Sequence, residues 1–366
     1  MKRSFILLIT LSMSFFVFGQ SYSSLWKKVA EAQEKDLPKS EYAALQQIVK
    51  KATKDKAYGQ LLKAELQGAQ AMASVAPDSL QPELSRIKQR GEAATDEVLK
   101  VVYQTILHKV SNENYDLRLG YKKPDLTPEL CDKLAKVKDD NYSPMVIKGI
   151  DADIFNHDLL HVVGYELGEY DDLYHYYQQA GNRRAACVVA AQNFRYEKKE
   201  KLEELISQYA DLPEVGELVI LRYKSIPYGK EYTDDRYDYI QKVLPKWDRW
   251  PRMAYLRNEL AEITNPQIRM EYDRQVVRPG QTQTVRLGEM RHVDRVTMTI
   301  YKVEANGSIG TSPVYDSFYK KVKPLLREVA FQKERVYTDK KPYEFFEDTL
   351  TIGELPIGVY MVEMKT

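Results

Sequence analysis

The residues in this chain best placed to do chemistry are His157 and His161, in the run His157-Asp158-Leu159-Leu160-His161. Histidines at i and i+4 share one face of an α-helix, and an H-E-x-x-H helix uses that spacing to hold zinc. Here the second position is Asp, not Glu. A carboxylate one methylene shorter would sit differently over a metal-bound water, which departs from the diagnostic pattern. Glu166, Glu169 and His175 lie near enough in sequence to offer a third ligand. The competing reading is structural: Val162, Val163 and Leu167 form an ordinary packing face, with Asp158 free to cap a helix or bridge to a cation. The structural reading is preferred, so His157, His161 and Glu166 stand only as metal-ligand candidates. No cofactor is expected.

Other catalytic arrangements have less support. His157-Asp158, with His108 upstream and Asp171-Asp172 downstream, mimics the central doublet of metal-dependent phosphohydrolases, but the spacing fits poorly. No G-x-S-x-G elbow, phosphate-cradling glycine loop or dinucleotide fingerprint occurs. The two cysteines, Cys131 and Cys187, could pair in an oxidising compartment. Cys187 sits in Ala185-Ala186-Cys187-Val188-Val189-Ala190-Ala191, a run suited to a helix interior, and free buried thiols are the preferred reading. Of the 27 tyrosines, Tyr165, Tyr170, Tyr174, Tyr176 and Tyr177 cluster at helical spacing, which favours core packing over stacking on sugars or gripping a protein. The reading is non-enzymatic.

Elements that would position these groups are helical from Leu25 to about Ile263, where apolar residues recur every three or four positions between breakers. Helices are expected from Leu25 to near Leu37-Pro38, from a cap at Ser40, over Tyr58 to Val75, and from starts near Pro82, Thr95, Thr127 and Ser143. The clearest hairpin runs Leu159 to Phe194, one face lined by Leu160, Val163, Gly164, Leu167, Tyr170, Leu173, Tyr174 and Tyr177 before a Gly181-Asn182 turn. Small residues and Tyr-Tyr at this spacing suggest a degenerate tetratricopeptide-like array with no clean period, the kind of surface that binds proteins or spaces domains. Trp247, Trp250 and Pro251 are expected to pack its junction with the strand-rich part of the chain.

After Asn265-Pro266 the period becomes two: Ile268-Met270-Tyr272, Val285-Leu287 and Val296-Met298-Ile300 read as strands, as do Val329 to Tyr337, Phe346 to Ile352 and Val359 to Met364. Six or seven strands in about 100 residues indicate an antiparallel β-sandwich. Ser317 to Arg327 reads as an insert in which Pro324 limits any helix, and Asn306-Gly307-Ser308 as a turn that also matches a glycosylation acceptor. The expected organisation is therefore a signal peptide over 1–20, a helical array over 21–264 and a sandwich over 267–366.

The N-terminus carries Lys2 and Arg3, an apolar run from Phe5 to Phe18, then Gly19-Gln20-Ser21. That order marks a cleavable export signal, and the run is shorter than the roughly 20 residues a membrane span needs. Export to the periplasm, the outer membrane surface or the medium is expected, with no membrane span after cleavage. No cysteine follows the run to carry a lipid. Losing Lys2 and Arg3 takes the formal charge from +1 to −1, and the signs are interspersed, which argues against a nucleic-acid partner.

Three segments of the strand-rich part carry a likeness: Arg278-Pro279-Gly280, the run Leu287 to Val303 ending Thr299-Ile300-Tyr301-Lys302-Val303, and Leu355-Pro356-Ile357-Gly358-Val359-Tyr360-Met361-Val362-Glu363. They resemble macroglobulin-type, immunoglobulin-like sandwich domains, which open with Pro-Gly and close with Pro-x-Gly-x-Tyr. With the export signal and the tyrosine-rich helices, residues 21 to 366 resemble the N-terminal part of bacterial alpha-2-macroglobulin-like protease inhibitors. The resemblance implies protease trapping with proteases or further macroglobulin domains as partners. It also implies segments that this sequence lacks. Cys131 is followed by Asp132-Lys133-Leu134 and Cys187 by Val188-Val189-Ala190, so neither fits the C-x-E-Q thioester. No family site residue carries over, and a sandwich ending at Lys365-Thr366 suits a chain cut at a domain boundary.

Overall fold

The computed structural model describes residues 21–113, 119–271, 276–304, 307 and 316–366. The expected export signal over 1–20, Tyr272, and Asn306 with Ser308 lie outside the described residues. The chain divides into two compact units, Met1–Arg195 and Tyr196–Thr366.

The first unit opens with α1 (Tyr22–Glu34), α2 (Pro38–Asp55) and α3 (Tyr58–Val75). Ser21 caps α1 by accepting from the Ser24 amide at 3.2 Å, and Leu25, Val29 and Ala32 form its buried stripe. α2 starts earlier than its expected Ser40 cap, because Pro38 at the first helical position gives up only an amide that would have no partner there. Leu25, Val29, Leu45, Ile48, Ala52 and Leu61 make one core across the three helices. α4 (Leu80–Glu92), α5 (Glu97–Glu113), α6 (Pro128–Ala135), α7 (Leu159–Leu167), α8 (Tyr170–Gln179) and α9 (Arg183–Asn193) follow.

Two expectations fail here for backbone reasons. No helix begins at Ser143, which is extended (φ −69°, ψ 139°), the conformation that a following Pro144 favours. The expected continuous helix from Leu159 to Tyr177 breaks at Gly168, whose φ of +68° ends α7, while the Glu169 amide turns back to the Gly164 carbonyl at 2.9 Å. The tyrosine-lined face is thus divided between α7 and α8. Among its five clustered tyrosines, Tyr174 and Tyr177 are buried and Tyr165, Tyr170 and Tyr176 half-buried.

A charged side chain sits inside this unit. Glu65 of α3 is 2% exposed and is met by Arg90 Nη1 at 2.8 Å and the Tyr103 hydroxyl at 2.8 Å. Burial raises its pKa above the ordinary 4.5 and outweighs the opposing pulls of Arg90 and Tyr103. A carboxyl with a raised folded-state pKa binds its proton more tightly when folded, so its contribution to stability falls as pH rises from about 4.5 through the folded value. Glu65→Gln, which cannot ionise, is therefore expected to gain relative to the parent between pH 4 and pH 7 in urea melts. A parent-variant difference that is flat over that window would refute the assignment.

The second unit holds α10 (Lys199–Gln208), α11 (Gly216–Lys224), α12 (Thr233–Trp247), α13 (Ala254–Thr264) and six strands: β1 (Gln267–Met270), β2 (Gln283–Arg291), β3 (Arg295–Val303), β4 (Leu326–Val336), β5 (Phe346–Gly353) and β6 (Val359–Lys365). The strands form two three-stranded antiparallel sheets, ordered β1-β2-β5 and β4-β3-β6. Leu287, Met290 and Leu350 from the first sheet and Val296, Met298 and Ile300 from the second belong to one buried cluster. Period-two alternation places Val296, Met298 and Ile300 on the shared side, whereas Leu287 and Met290 both reach it because the β2 register shifts between them. The insert forms α14 (Asp316–Val322) and a 3-10 turn at Lys323–Leu325 containing Pro324.

The tryptophans pack elsewhere than expected. Trp250 Nε1 donates to Glu217 at 2.7 Å, with its ring against Gly216, and Trp247 Nε1 donates to the Ala210 carbonyl at 3.0 Å, all within the helical stretch. Helices and strands of this unit meet instead through the ring pair Tyr237–Tyr343 at 4.6 Å, through Lys341–Asp234 at 2.7 Å, and through His292, whose Nδ1 lies 2.5 Å from the Thr264 carbonyl. Among the described residues no helix is long and apolar enough to cross a membrane.

Candidate functional site

The histidine run is organised by a short backbone ladder rather than by a helix face. The Asp139 amide donates to the His157 carbonyl at 2.9 Å and the Leu159 amide to the Val137 carbonyl at 2.8 Å, pairing Lys138 with Asp158. To enter this ladder the chain passes through the left-handed region at two consecutive residues, Asn156 (φ +54°) and His157 (φ +55°). Asn tolerates that conformation; histidine there needs support from its surroundings.

Asp158 then stands at the N-cap of α7, extended at φ −76°, ψ 157°. Its carboxylate accepts from the His161 amide at 2.8 Å, from the Tyr177 hydroxyl at 3.0 Å on each oxygen, and contacts His161 Nδ1 at 3.0 Å. Asp158 is 4% exposed, so these bonds replace its water. Phe155 stacks on the His161 ring at 4.8 Å and touches Tyr177 at 5.4 Å. The Tyr177 hydroxyl is held far above its usual pKa, first by burial and then by the Asp158 charge, so it acts as a fixed donor.

The three metal-ligand candidates are not brought together. α7 begins at Leu159, so His157 precedes the helix and shares no face with His161, which corrects the i, i+4 expectation. His157 Nε2 lies 2.6 Å from Asp153, His161 turns to Asp158, and Glu166 pairs with Lys109 at 2.6 Å. His175 contacts the Asp171 carbonyl at 2.9 Å and His108 the Tyr121 carbonyl at 3.1 Å, each away from the run. Among the described residues no group of three or more His, Cys, Asp or Glu is arranged to hold a metal ion. Zinc added to the dialysed protein is accordingly expected to leave its melting temperature unchanged and to be retained below stoichiometry. One tightly retained zinc per chain, lost in His161→Ala, would overturn this.

Nothing in the residue pattern singles out Asp139. Its carboxylate is buried with neither oxygen hydrogen-bonded, and its nearest partner is His157 Nδ1 at 3.7 Å. Nor was the Tyr177–Asp158 bond legible, since the two lie 19 residues apart. Both cysteines are buried, and neither is in a disulfide. Burial, with Asp172 and Asp132 nearby, pushes the Cys131 thiol up to about 11, away from nucleophilic use.

No family model matches the chain, and no curated protein or solved structure matches it either.

Proposed function

We propose that this chain is an exported, non-enzymatic scaffold that contacts other proteins, built as a helical array carrying a macroglobulin-type sandwich, and that it works beside a partner supplying the protease-trapping segments. The observation that carries the reading is the entry to β6. There Pro356-Ile357-Gly358-Val359-Tyr360 turns the chain and the Tyr360 hydroxyl donates back to the Pro356 carbonyl at 3.0 Å. This is the bond that a tyrosine corner makes in extracellular sandwiches, a hydroxyl closing on backbone a few residues upstream. The Gly358 position suits it, because a Cβ there would lie 3.1 Å from the Tyr360 ring. The order of helices first and two antiparallel sheets last also agrees with the reading.

The saturated Asp158 hub supports the non-enzymatic part, since its oxygens are committed to Tyr177 and His161. Crosslinking in the producing cell followed by recovery of the tagged chain tests the proposal. A large polypeptide of repeated sandwich domains, crosslinked through residues 267–366, is the expected product. Recovery of the chain alone sinks the partner reading, and hydrolysis of a peptide or glycan panel lost in His161→Ala sinks the non-enzymatic one.

A further inference from the structure

Between the 3-10 turn at Asp139–Tyr142 and Asp158 the chain makes a loop with fixed ends and an uncovered middle. Its entry hangs on Tyr142, a buried ring whose carbonyl accepts from the Val146 amide at 2.9 Å. Its return is anchored by Ala152, Ile154 and Phe155, all buried. The base is closed by the backbone pairs Asp139–His157 and Leu159–Val137 and by Lys138, whose Nζ donates to the Asn156 carbonyl at 2.6 Å. Between these anchors Ile147 is 87% and Ile150 90% exposed, and Lys148 and Gly149 are exposed between them.

Isolated apolar residues on a surface need no explanation, but here two isoleucines flank a lysine and a glycine on backbone that is itself unengaged. Among the described residues the amides of Ile147, Lys148, Gly149 and Ile150 and the carbonyls of Ile147 and Lys148 have no hydrogen-bond partner. A Cβ on Gly149 would meet nothing within 4 Å, so this side of the loop stands clear of the fold. Accessible backbone with side chains to offer is what an extended-peptide cleft reads: main-chain bonds give the affinity and pockets the specificity. An exposed loop tip is also where endoproteases nick folded chains. Lys148 is the one charge from Pro144 to Ile150. It lies 3.6 Å from Asp153 with both side chains more than half exposed, so the pair contributes little and Lys148 can leave it. Asp153 keeps its shorter contact with His157 Nε2 at 2.6 Å. A cleft that takes this segment needs an acidic pocket for the lysine, as basic-specific endoproteases have.

We propose that Ile147–Ile150 is the recognition segment for an endoprotease with an acidic primary pocket, which seats Lys148 there and hydrolyses the Lys148–Gly149 peptide bond. Water adds its hydroxyl to the Lys148 carbonyl carbon, and the Gly149 nitrogen leaves as an amine carrying the remaining hydrogen. Because both ends of the loop are held by bonds outside it, the cut chain stays a single particle. Trypsin, in limiting amount on the purified full chain, is the probe, with products identified by mass. The first cut is expected between Lys148 and Gly149. Lys148→Gln is expected to slow it about tenfold or more with the melting temperature in place, and Lys148→Arg to restore it. The nicked chain should elute with the intact one in gel filtration and part only in denaturant. Cleavage needs no partner protein, so this site and the scaffold reading stand or fall separately. A first cut elsewhere, such as at Lys198 in the exposed stretch after α9, would overturn the proposal. So would an unchanged rate in Lys148→Gln, pieces that separate without denaturant, or a nicking rate that follows the unfolded fraction as urea is added.

Discussion

Gly59→Ala is expected to lower the melting temperature by roughly 6–12 °C, corresponding to about 3 kcal/mol in a unit of this size. Gly59 lies in the first turn of α3, and a Cβ there would sit 2.1 Å from the Tyr142 carbonyl oxygen, 2.2 Å from its carbon and 2.4 Å from the Ser143 oxygen. All three are backbone atoms, so no side-chain rotation relieves the overlap. The 3-10 turn at Asp139–Tyr142 would have to move away from α3, taking with it Tyr142, which is 2% exposed. Ala gains up to about 1 kcal/mol over Gly in helix propensity, too little to offset that shift. Gly68 in the same helix is the internal control, because its Cβ would meet the Tyr42 ring at an ordinary 3.6 Å. Gly68→Ala should be neutral or stabilising by up to about 1 kcal/mol. Equal thermal melts for Gly59→Ala and the parent would show that the approach of α3 to residues 139–143 is wrong.

Asp158→Ala is expected to cost about 2–5 kcal/mol, the sum of two separable effects and a smaller third. Removing the N-cap of α7 costs about 1 kcal/mol, and stranding the buried Tyr177 hydroxyl adds about 1–3 kcal/mol; the His161 ring also gives up its carboxylate neighbour. The first two separate in a double-mutant cycle. Tyr177→Phe removes the hydroxyl that would be stranded, so Asp158→Ala in that background should cost at least about 1 kcal/mol less than in the parent. Chemical denaturation of the four proteins measures it. Strict additivity would mean that the hydroxyl and carboxylate do not interact, and the hub would lose its central bond.

That hub shows why a two-histidine spacing misleads in isolation. The i, i+4 rule holds only if both residues are helical, and here the Asp between them ends the non-helical approach: as N-cap it leaves His157 outside and sets His161 inside. An Asp just before an apolar helical run is itself a start signal, so the sequence already contained the reason for the structural reading. Its partner Tyr177 was legible as a core residue from helical spacing, but the hydrogen bond depends on Gly168 folding α8 back beside α7. Gly164 permits that packing, since a Cβ there would lie 2.6 Å from Leu173 Cδ2.

Periodicity alone determined most of the elements. Tyr58–Val75, the start at Thr127, the six strands and the Pro324-limited insert all follow from the pattern of apolar residues and breakers, because these depend on neighbours within a few positions. Tertiary structure decided what no local pattern carries. Which strands pair across the gaps between them, that Trp250 packs on Gly216 and that Asp139 is buried without a hydrogen-bond partner are consequences of contacts between residues distant in sequence. Local propensity sets the conformation of a segment; burial and charge balance at a given side chain are set by whatever the rest of the chain places against it.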